Sequence, residues 1–323
     1  MGRKHGIFSI QSEEVSNFAG KKEINREGIS ILEALETVFQ QMKIAGNRIR
    51  TIESYSYIFH QFVLCNKLEY VEDINADSIY EYLSSMEVSQ QTKVIRLKSV
   101  KAVLGKFHNN GWIRKKFWST IQIKLDKQVK KGAIANDVEK LIELIDQNTF
   151  IGFRDTVAIL TMFKTGIRIQ TLGELKERHI DYENLFLNLD GSILKNHKFL
   201  KLPIDQELAN LFKVLTTQNE KIRSYYGTQN KNVIITQNGL PINNDRTSNN
   251  AISKQLNKYS KRFGLENINA HSLRRGYAKN LFNAGASVAV ISKALGHSDL
   301  GVTTQYLDLD VEEVASTLRE YLK

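Results

Sequence analysis

From about Ser30 apolar residues recur at spacings of three and four. Ile31, Leu32, Leu35, Val38, Phe39 and Met42 form one stripe, and the spacing predicts an amphipathic helix that stops at Gly46. A second helix is predicted over Thr51 to Cys65, with Ile52, Tyr55, Ile58, Phe59 and Phe62 facing inward and Arg48 and Arg50 at its entry. Ile74–Asp77 leads into a short helix over Ser78 to Met86, and Ser89 is a candidate N-cap for a fourth. On that fourth helix Val94, Leu97, Val100, Leu104 and Phe107 share a face, while Lys98 and Lys101 project from the other side. The pattern predicts a small all-helical domain over 28–123, preceded by a polar, weakly periodic arm over 1–27.

The periodicity lapses in a lysine-rich stretch over 124–133, which reads as a charged linker. It resumes with Val138, Leu141, Ile142 and Ile145, with Asn136 as candidate N-cap, so a second domain is expected over 134–323. Ile151 to Lys164 is a strongly apolar helix. Leu185–Leu189 and Phe199–Pro203 alternate as strands of a short antiparallel sheet, and both prolines, Pro203 and Pro241, fall where a strand or turn ends. Val311, Val314, Ala315, Leu318 and Leu322 predict an amphipathic helix over 311–321. The expected fold class is mainly α, with a small antiparallel β-sheet in the C-terminal domain.

Composition narrows the function classes. The 323 residues suit two domains, and 41% hydrophobic with 25% charged residues is the balance of a water-soluble globular chain. No apolar run approaches the roughly 18 residues that span a bilayer, and Met1–His5 lacks the apolar core of a secretion signal, so a cytoplasmic protein is expected, nucleoid-associated if its partner is DNA. One cysteine, Cys65, excludes an intramolecular disulfide and a cysteine-rich zinc site; in Phe62-Val-Leu-Cys65 it is expected to be a small buried side chain. The net charge of +10 is concentrated. Between Gln90 and Ala133 twelve Lys or Arg stand against one acid, Asp126, leaving 33 basic and 34 acidic residues elsewhere. A stretch that excludes acids so completely suits a polyanion, because each cation near a phosphate releases condensed counterion. Arg48, Arg50, Lys93, Arg96, Lys98, Lys101, Lys127, Lys130 and Lys131 are the expected DNA-binding residues, acting mostly on phosphate.

The candidate chemistry lies in two neighbouring stretches, Asn269-Ala-His-Ser-Leu-Arg-Arg-Gly-Tyr277 and Leu295-Gly-His-Ser-Asp-Leu-Gly-Val-Thr-Thr-Gln-Tyr306. They place His271, Arg274, His297 and Tyr306 within 36 residues, a set suited to clamping and attacking a phosphodiester. With Thr165-Gly-Ile-Arg168 upstream, the chain resembles the tyrosine recombinase, or phage integrase, family over about residues 28 to 321. Thr165–Arg168 resembles the family's first arginine box, His271-Ser-Leu-Arg274 its H-x-x-R box and Leu295-Gly-His297 its second histidine box. Tyr306 falls nine residues after His297, where the family places its nucleophile.

The resemblance implies a helical core-binding domain, an α+β catalytic domain and a 3′-phosphotyrosine intermediate formed by Tyr306. Arg168 and Arg274 would neutralise the non-bridging oxygens. A lysine in a strand-to-strand turn would protonate the leaving 5′-oxygen; Lys195 is in register and Lys198 competes. His271 and His297 would move protons and support the phosphate. No metal or cofactor is needed in this scheme. One departure concerns Thr171, where the family is usually acidic three positions after its first arginine; Glu174 is the candidate substitute. The implied partners are double-stranded DNA, a homo-tetramer on two DNA sites with exchange of the C-terminal helix, and accessory DNA-bending proteins. Integration, excision or transposition of a mobile element is expected rather than chromosome dimer resolution. A type IB topoisomerase and a non-catalytic DNA-binding module remain alternatives.

Overall fold

The computed structural model describes residues 28–125, 130–243, 251–297 and 299–307. The expected arm over 1–27, Lys127 and the expected helix over 311–321 lie outside the described residues. Two compact units divide between Lys127 and Gln128.

In the first unit, α1 (Ile31–Ile44) begins at a capping box: Ser30 Oγ accepts from Glu33 N, and the Glu33 carboxylate accepts from Ser30 N. Ile31, Ala34, Leu35, Val38 and Met42 are buried. Leu32, expected in the same stripe, is exposed, since it lies about 100° round the helix from Ile31. The second helix, α2 (Ile49–Asn66), buries Ile58, Phe59 and Phe62 and ends at Lys67 in the left-handed region. Cys65 departs from expectation. It is exposed in the last turn, beyond the aromatic core, with Sγ 3.3 Å from Ser85 Oγ.

Asn75, whose side chain accepts from Ser78 N at 3.0 Å, starts α3 (Ala76–Ser84) two residues earlier than expected. Ser89 caps α4 (Gln90–Asn109) as expected, accepting from Thr92 N. The helices close over a core in which Phe59 meets Phe62 and Phe107 edge to face at 5.3 and 5.5 Å. Each fully buried Phe contributes roughly 1.5–3 kcal/mol by transfer from water.

The second unit begins with α5 (Ala135–Leu144). Asn136 does not cap it: Ala133 N donates to Ser272 O at 2.8 Å, which fixes the chain early, and Ile134 occupies the cap position. At its centre α6 (Phe150–Thr165) buries residues on every side, among them Asp155, Val157, Ile159 and Met162. It ends at Gly166, where φ is +66° and a Cβ would fall 2.3 Å from Tyr277 Cδ1. Backbone and space both demand glycine there. Beyond it lies α7 (Ile169–Glu174).

The sheet has three strands, β1 (Ile180–Asp181), β2 (Phe186–Leu189) and β3 (Leu200–Pro203), antiparallel in that order. In the pairing of β2 with β3, Phe186 is opposite Pro203 and Leu189 opposite Leu200. Two residues of β1 carry too short an alternation to be visible in the sequence. The long α8 (Gln206–Tyr226), capped by Asp205, and the basic α9 (Ala251–Phe263) follow. The unit ends with α10 (Ala270–Asn283), α11 (Val288–Ala294) and α12 (Leu300–Leu307). Among the described residues no helix is long and apolar enough to cross a membrane.

Candidate active site

The end of α6, the β2–β3 loop, the start of α10 and the α11–α12 corner converge. Asn269 caps α10, its side chain accepting from His271 N and Ser272 N at 3.1 and 3.0 Å, so the first turn begins at the H-x-x-R motif. Helical spacing then puts His271 and Arg274 on adjacent turns of one face.

Arg274 is 3% exposed. Its Nη1 donates to Gly166 O, and its Nη2 donates to Leu295 O at 2.5 Å and contacts His297 Nε2 at 3.0 Å. One guanidinium thus joins the end of α6 to the α11–α12 corner. Its Nε is buried without a partner. Burial, reinforced by the positive field of Arg168, pushes the Arg274 pKa down to about 10, while the hydroxyl of Tyr306 acts in the opposite sense, partly through a hydrogen bond. Arg168 occupies the N-cap position of α7 through its backbone, its Nη1 donates to Leu295 O at 3.5 Å, and burial lowers its pKa as well. None of the ion pairs of the described residues involves either arginine. Two desolvated guanidiniums sharing a site, with no carboxylate paired to either among the described residues, is an arrangement that an anion relieves.

His297 receives its N–H···N bond from Arg274, which can only donate, so Nε2 is the acceptor and Nδ1 carries the proton. Nδ1–H then donates to Thr303 Oγ1 at 2.9 Å. The ring of Tyr306 stands edge-on to His297, with centroids 4.9 Å apart at 90°. Burial, then the fields of Arg274 and Arg168, depress His297 to about 4. His271 is also lowered, first by partial desolvation and then by Arg275, Arg274, Lys130 and Arg168.

The His297 shift has a consequence for stability. Above pH 6.5 both folded and unfolded forms hold a neutral ring. As the pH falls from 6.5 towards 4 the unfolded chain takes up a proton that the folded protein refuses, so stability is lost across that window. With allowance for solvent screening of a half-buried ring, the loss is about 1–2 kcal/mol. In thermal melts monitored by circular dichroism, His297→Gln is expected to lose less stability than wild type between pH 7 and pH 5.

Lys195 lies exposed on the β2–β3 loop. Two bonds hold this loop to the site. Thr171 Oγ1 donates to Ile193 O at 3.2 Å, and Asn196 Nδ2 reaches Gly296 O at 3.4 Å. Thr171 is therefore buried and ties α7 to the lysine loop. Glu174 lies at the end of α7 and takes a bond from Gln170 at 3.4 Å. Lys198 is exposed on the same loop, its N–H 3.3 Å from Asn196 Oδ1. At its base Asp190, held near pKa 2 by Ser192 and His179, pairs with His179 Nε2 at 3.0 Å.

All six expected catalytic positions thus fall in this unit, and Arg168, Arg274, His297 and Tyr306 are joined by direct contacts or fields. Sequence reasoning missed Thr303, Asn196 and Arg275. Thr303 carried a usable signal, because it lies three residues before Tyr306 and so shares its helix face.

The expected DNA-binding residues separate by environment. Arg48, Arg50 and Lys98 are exposed in the first unit, and Lys130 and Lys131 in the second. Lys93 is half-buried. Arg96 is half-buried too, its Nη1 3.1 Å from Met86 Sδ. Lys101 does not project outward as expected. Its ammonium donates to Ile121 O and Ser119 O, serving the fold of the segment after α4, and burial lowers its pKa. Among the described residues no group of three or more His, Cys, Asp or Glu is placed to hold a metal ion.

The fold is that of a tyrosine recombinase, a class of DNA strand-transferring enzyme. Residues 134–313 match the phage integrase family, and the chain belongs to that family. Relatives include tyrosine recombinase XerC of Thermodesulfovibrio yellowstonii, 24% identical over 276 residues and covering 83% of this chain and 89% of the relative. Tyrosine recombinase XerA of Pyrococcus furiosus is 24% identical over 275 residues, covering 85% and 88%. Among solved structures, the Tn1549 transposon integrase bound to a circular intermediate DNA matches with TM-score 0.71 at 17% identity, over 89% of this chain and 99% of that one. A lambda integrase dimer bound to a core site matches with TM-score 0.65 at 18% identity, over 92% and 85%.

Proposed function

We propose that this site-specific recombinase cleaves DNA with Tyr306 and keeps the broken strand as a 3′-phosphotyrosine while it is passed to a second duplex. The observation that carries the reading is the place of His297, which takes a bond from Arg274 at Nε2 and meets the ring of Tyr306 edge-on at 4.9 Å. A buried phosphate-binding cation and a half-buried oxygen nucleophile flank one histidine. Tyr306 Oη attacks phosphorus, the P–O5′ bond breaks, and the negative charge that builds on the non-bridging oxygens falls on Arg168 and Arg274. His271, whose neutral form is favoured by its surroundings, takes the phenolic proton. Lys195, or Lys198 from the same loop, gives a proton to the leaving 5′-oxygen. Rejoining runs the same steps backwards with another 5′-hydroxyl, so the bond energy is conserved.

Arg48, Arg50, Lys98, Lys130 and Lys131 bind phosphates in this reading, with Lys127, Lys93 and Arg96 beside them. The likeness to a transposon integrase and to lambda integrase favours movement of a mobile element. A lambda integrase tetramer on a Holliday junction supports a tetramer on two DNA sites, linked by exchange of the segment over 311–321. Accessory DNA-bending proteins and residence at the nucleoid belong to the same proposal.

The test uses nicked duplexes tiled across the DNA on both sides of the coding sequence. Full-length protein is expected to carry label into denaturing gels, and mass spectrometry is expected to place the DNA adduct on the peptide that holds Tyr306. Relaxation of a plasmid lacking any such site, by a monomer, would instead indicate a topoisomerase. Binding without any adduct on any duplex would indicate a non-catalytic module.

A further inference from the structure

The chain that enters the second unit is fastened to the helix bearing His271 and Arg274. Ala133 N donates to Ser272 O at 2.8 Å, and Arg275 Nε donates to Lys131 O at 3.0 Å. Between these bonds the two backbones touch. A Cβ on Gly132 would lie 2.8 Å from Gly276 N, and one on Gly276 would lie 2.4 Å from Ala133 O and 2.9 Å from Phe163 Cε2. Ser272, Arg275 and Gly276 are spaced as one face of α10, so residues 131–133 lie along that face. The glycines permit a contact that any side chain would hold open.

Arg275 is an odd choice for fastening. Its side chain is 8% exposed, burial lowers its pKa against the opposing field of Tyr306, and its charge bears on His271 together with those of Arg274, Lys130 and Arg168. A buried cation is poor material for stability, because its desolvation has to be repaid. A neutral donor of similar length would serve the carbonyl at lower electrostatic cost, which directs attention to the reaction rather than the fold.

We propose that Arg275 is a positioning residue for DNA cleavage. Its bond to Lys131 O, with the glycine contact beside it, makes docking of residues 131–133 a condition for the first turns of α10 to hold His271 and Arg274 in cleavage geometry. Exposed Lys130 and Lys131 belong to the docked chain, so their engagement of DNA phosphates is coupled to the chemistry through Arg275. The inference rests on the recombinase reading above.

The test measures the single-turnover rate of covalent complex formation at saturating DNA, together with DNA affinity, for the full chain on the duplex that wild type traps best. Arg275→Met is expected to slow trapping 10- to 100-fold with affinity within threefold, and Arg275→Lys, which can still donate to Lys131 O, to recover most of the rate. Gly132→Ala, which lifts the chain off α10 without altering the helix, is expected to slow trapping similarly. The double variant is expected to fall no more than threefold below the slower single, because both break one coupling. Hydrogen exchange at the Ala133 amide is expected to speed up in Arg275→Met and in Gly132→Ala. Wild-type rates in Arg275→Met, a loss confined to affinity, or multiplicative effects in the double variant would each overturn the proposal. If Arg275→Met fails to fold, Gly132→Ala against Arg275→Lys carries the comparison, and equal wild-type rates in those two overturn it. Absence of trapping by wild type itself is a separate result, and it fails the recombinase reading first.

Discussion

Tyr306→Phe is expected to reduce covalent trapping of DNA at least about 10⁴-fold, as loss of a nucleophile does in other covalent enzymes, while leaving DNA affinity within about threefold of wild type. The edge-on contact with His297 uses the ring and survives the substitution. What is lost is the hydroxyl, whose field favours the Arg274 cation; loss of one hydrogen-bonding group costs about 1 kcal/mol. A melting temperature about 2–4 °C lower is the corresponding change. Gel shift and denaturing gels on the same nicked duplex separate the two effects. The rival phenol is Tyr277, three residues after Arg274. Its ring is 9% exposed and packed on Gly166, and burial raises its pKa, so it is both hidden and a poor proton donor. Trapping that persists in Tyr306→Phe would mean that another nucleophile acts; loss of both trapping and binding would mean that the hydroxyl serves the fold.

The four boxes were legible because each is local. Asn269 caps the helix that carries His271 and Arg274, and Gly166 has to follow Thr165 for the chain to turn under Tyr277. Such features are written in adjacent residues. The helical stripes of α1, α2 and α4 were legible for the same reason, each repeating over several turns. Bonds between distant segments were not. Thr171 to Ile193 O spans the sheet, Asn196 to Gly296 O joins residues 100 apart, and Arg275 to Lys131 O joins residues 144 apart. Lys101 shows the limit from the other side. Four residues after Leu97 and three before Leu104 it borders the core face rather than opposing it, and the carbonyls of Ser119 and Ile121 that claim its ammonium come from a segment without periodicity. Cys65 failed likewise, because the apolar residues before it say nothing of where the core ends.

The thermodynamic character of the site follows from its cations. Burial is the largest influence lowering the proton affinity of both Arg168 and Arg274, and the field of Arg168 adds to it at Arg274. The free protein therefore holds two guanidiniums in a pocket where their hydration is incomplete, with backbone carbonyls as the main compensation. In the proposed reaction such a site would meet the developing negative charge with cations already in place.

Arg274→Lys tests that organisation most severely. A guanidinium reaches Gly166 O through Nη1 and Leu295 O through Nη2 at once, bridging α6 to the corner before α12. One ammonium is a point charge on a flexible stem and cannot hold both carbonyls in that fixed fork. The substitution is expected to leave a buried carbonyl unsatisfied, costing roughly 1–3 kcal/mol of stability, and to free His297 Nε2 from its donor. Loss of the bidentate cation should lower the cleavage rate at saturating DNA by about 10³-fold or more, the scale of losing one or more preorganised donors. Affinity for DNA should change far less, since phosphates elsewhere along the duplex carry most of the binding. Single-turnover trapping, gel shift and thermal melts on one preparation separate the three quantities. A Lys variant that cleaves within tenfold of wild type would show that charge alone suffices. A variant that loses stability but cleaves normally once folded would assign Arg274 to the architecture and leave Arg168 as the phosphate's principal ligand.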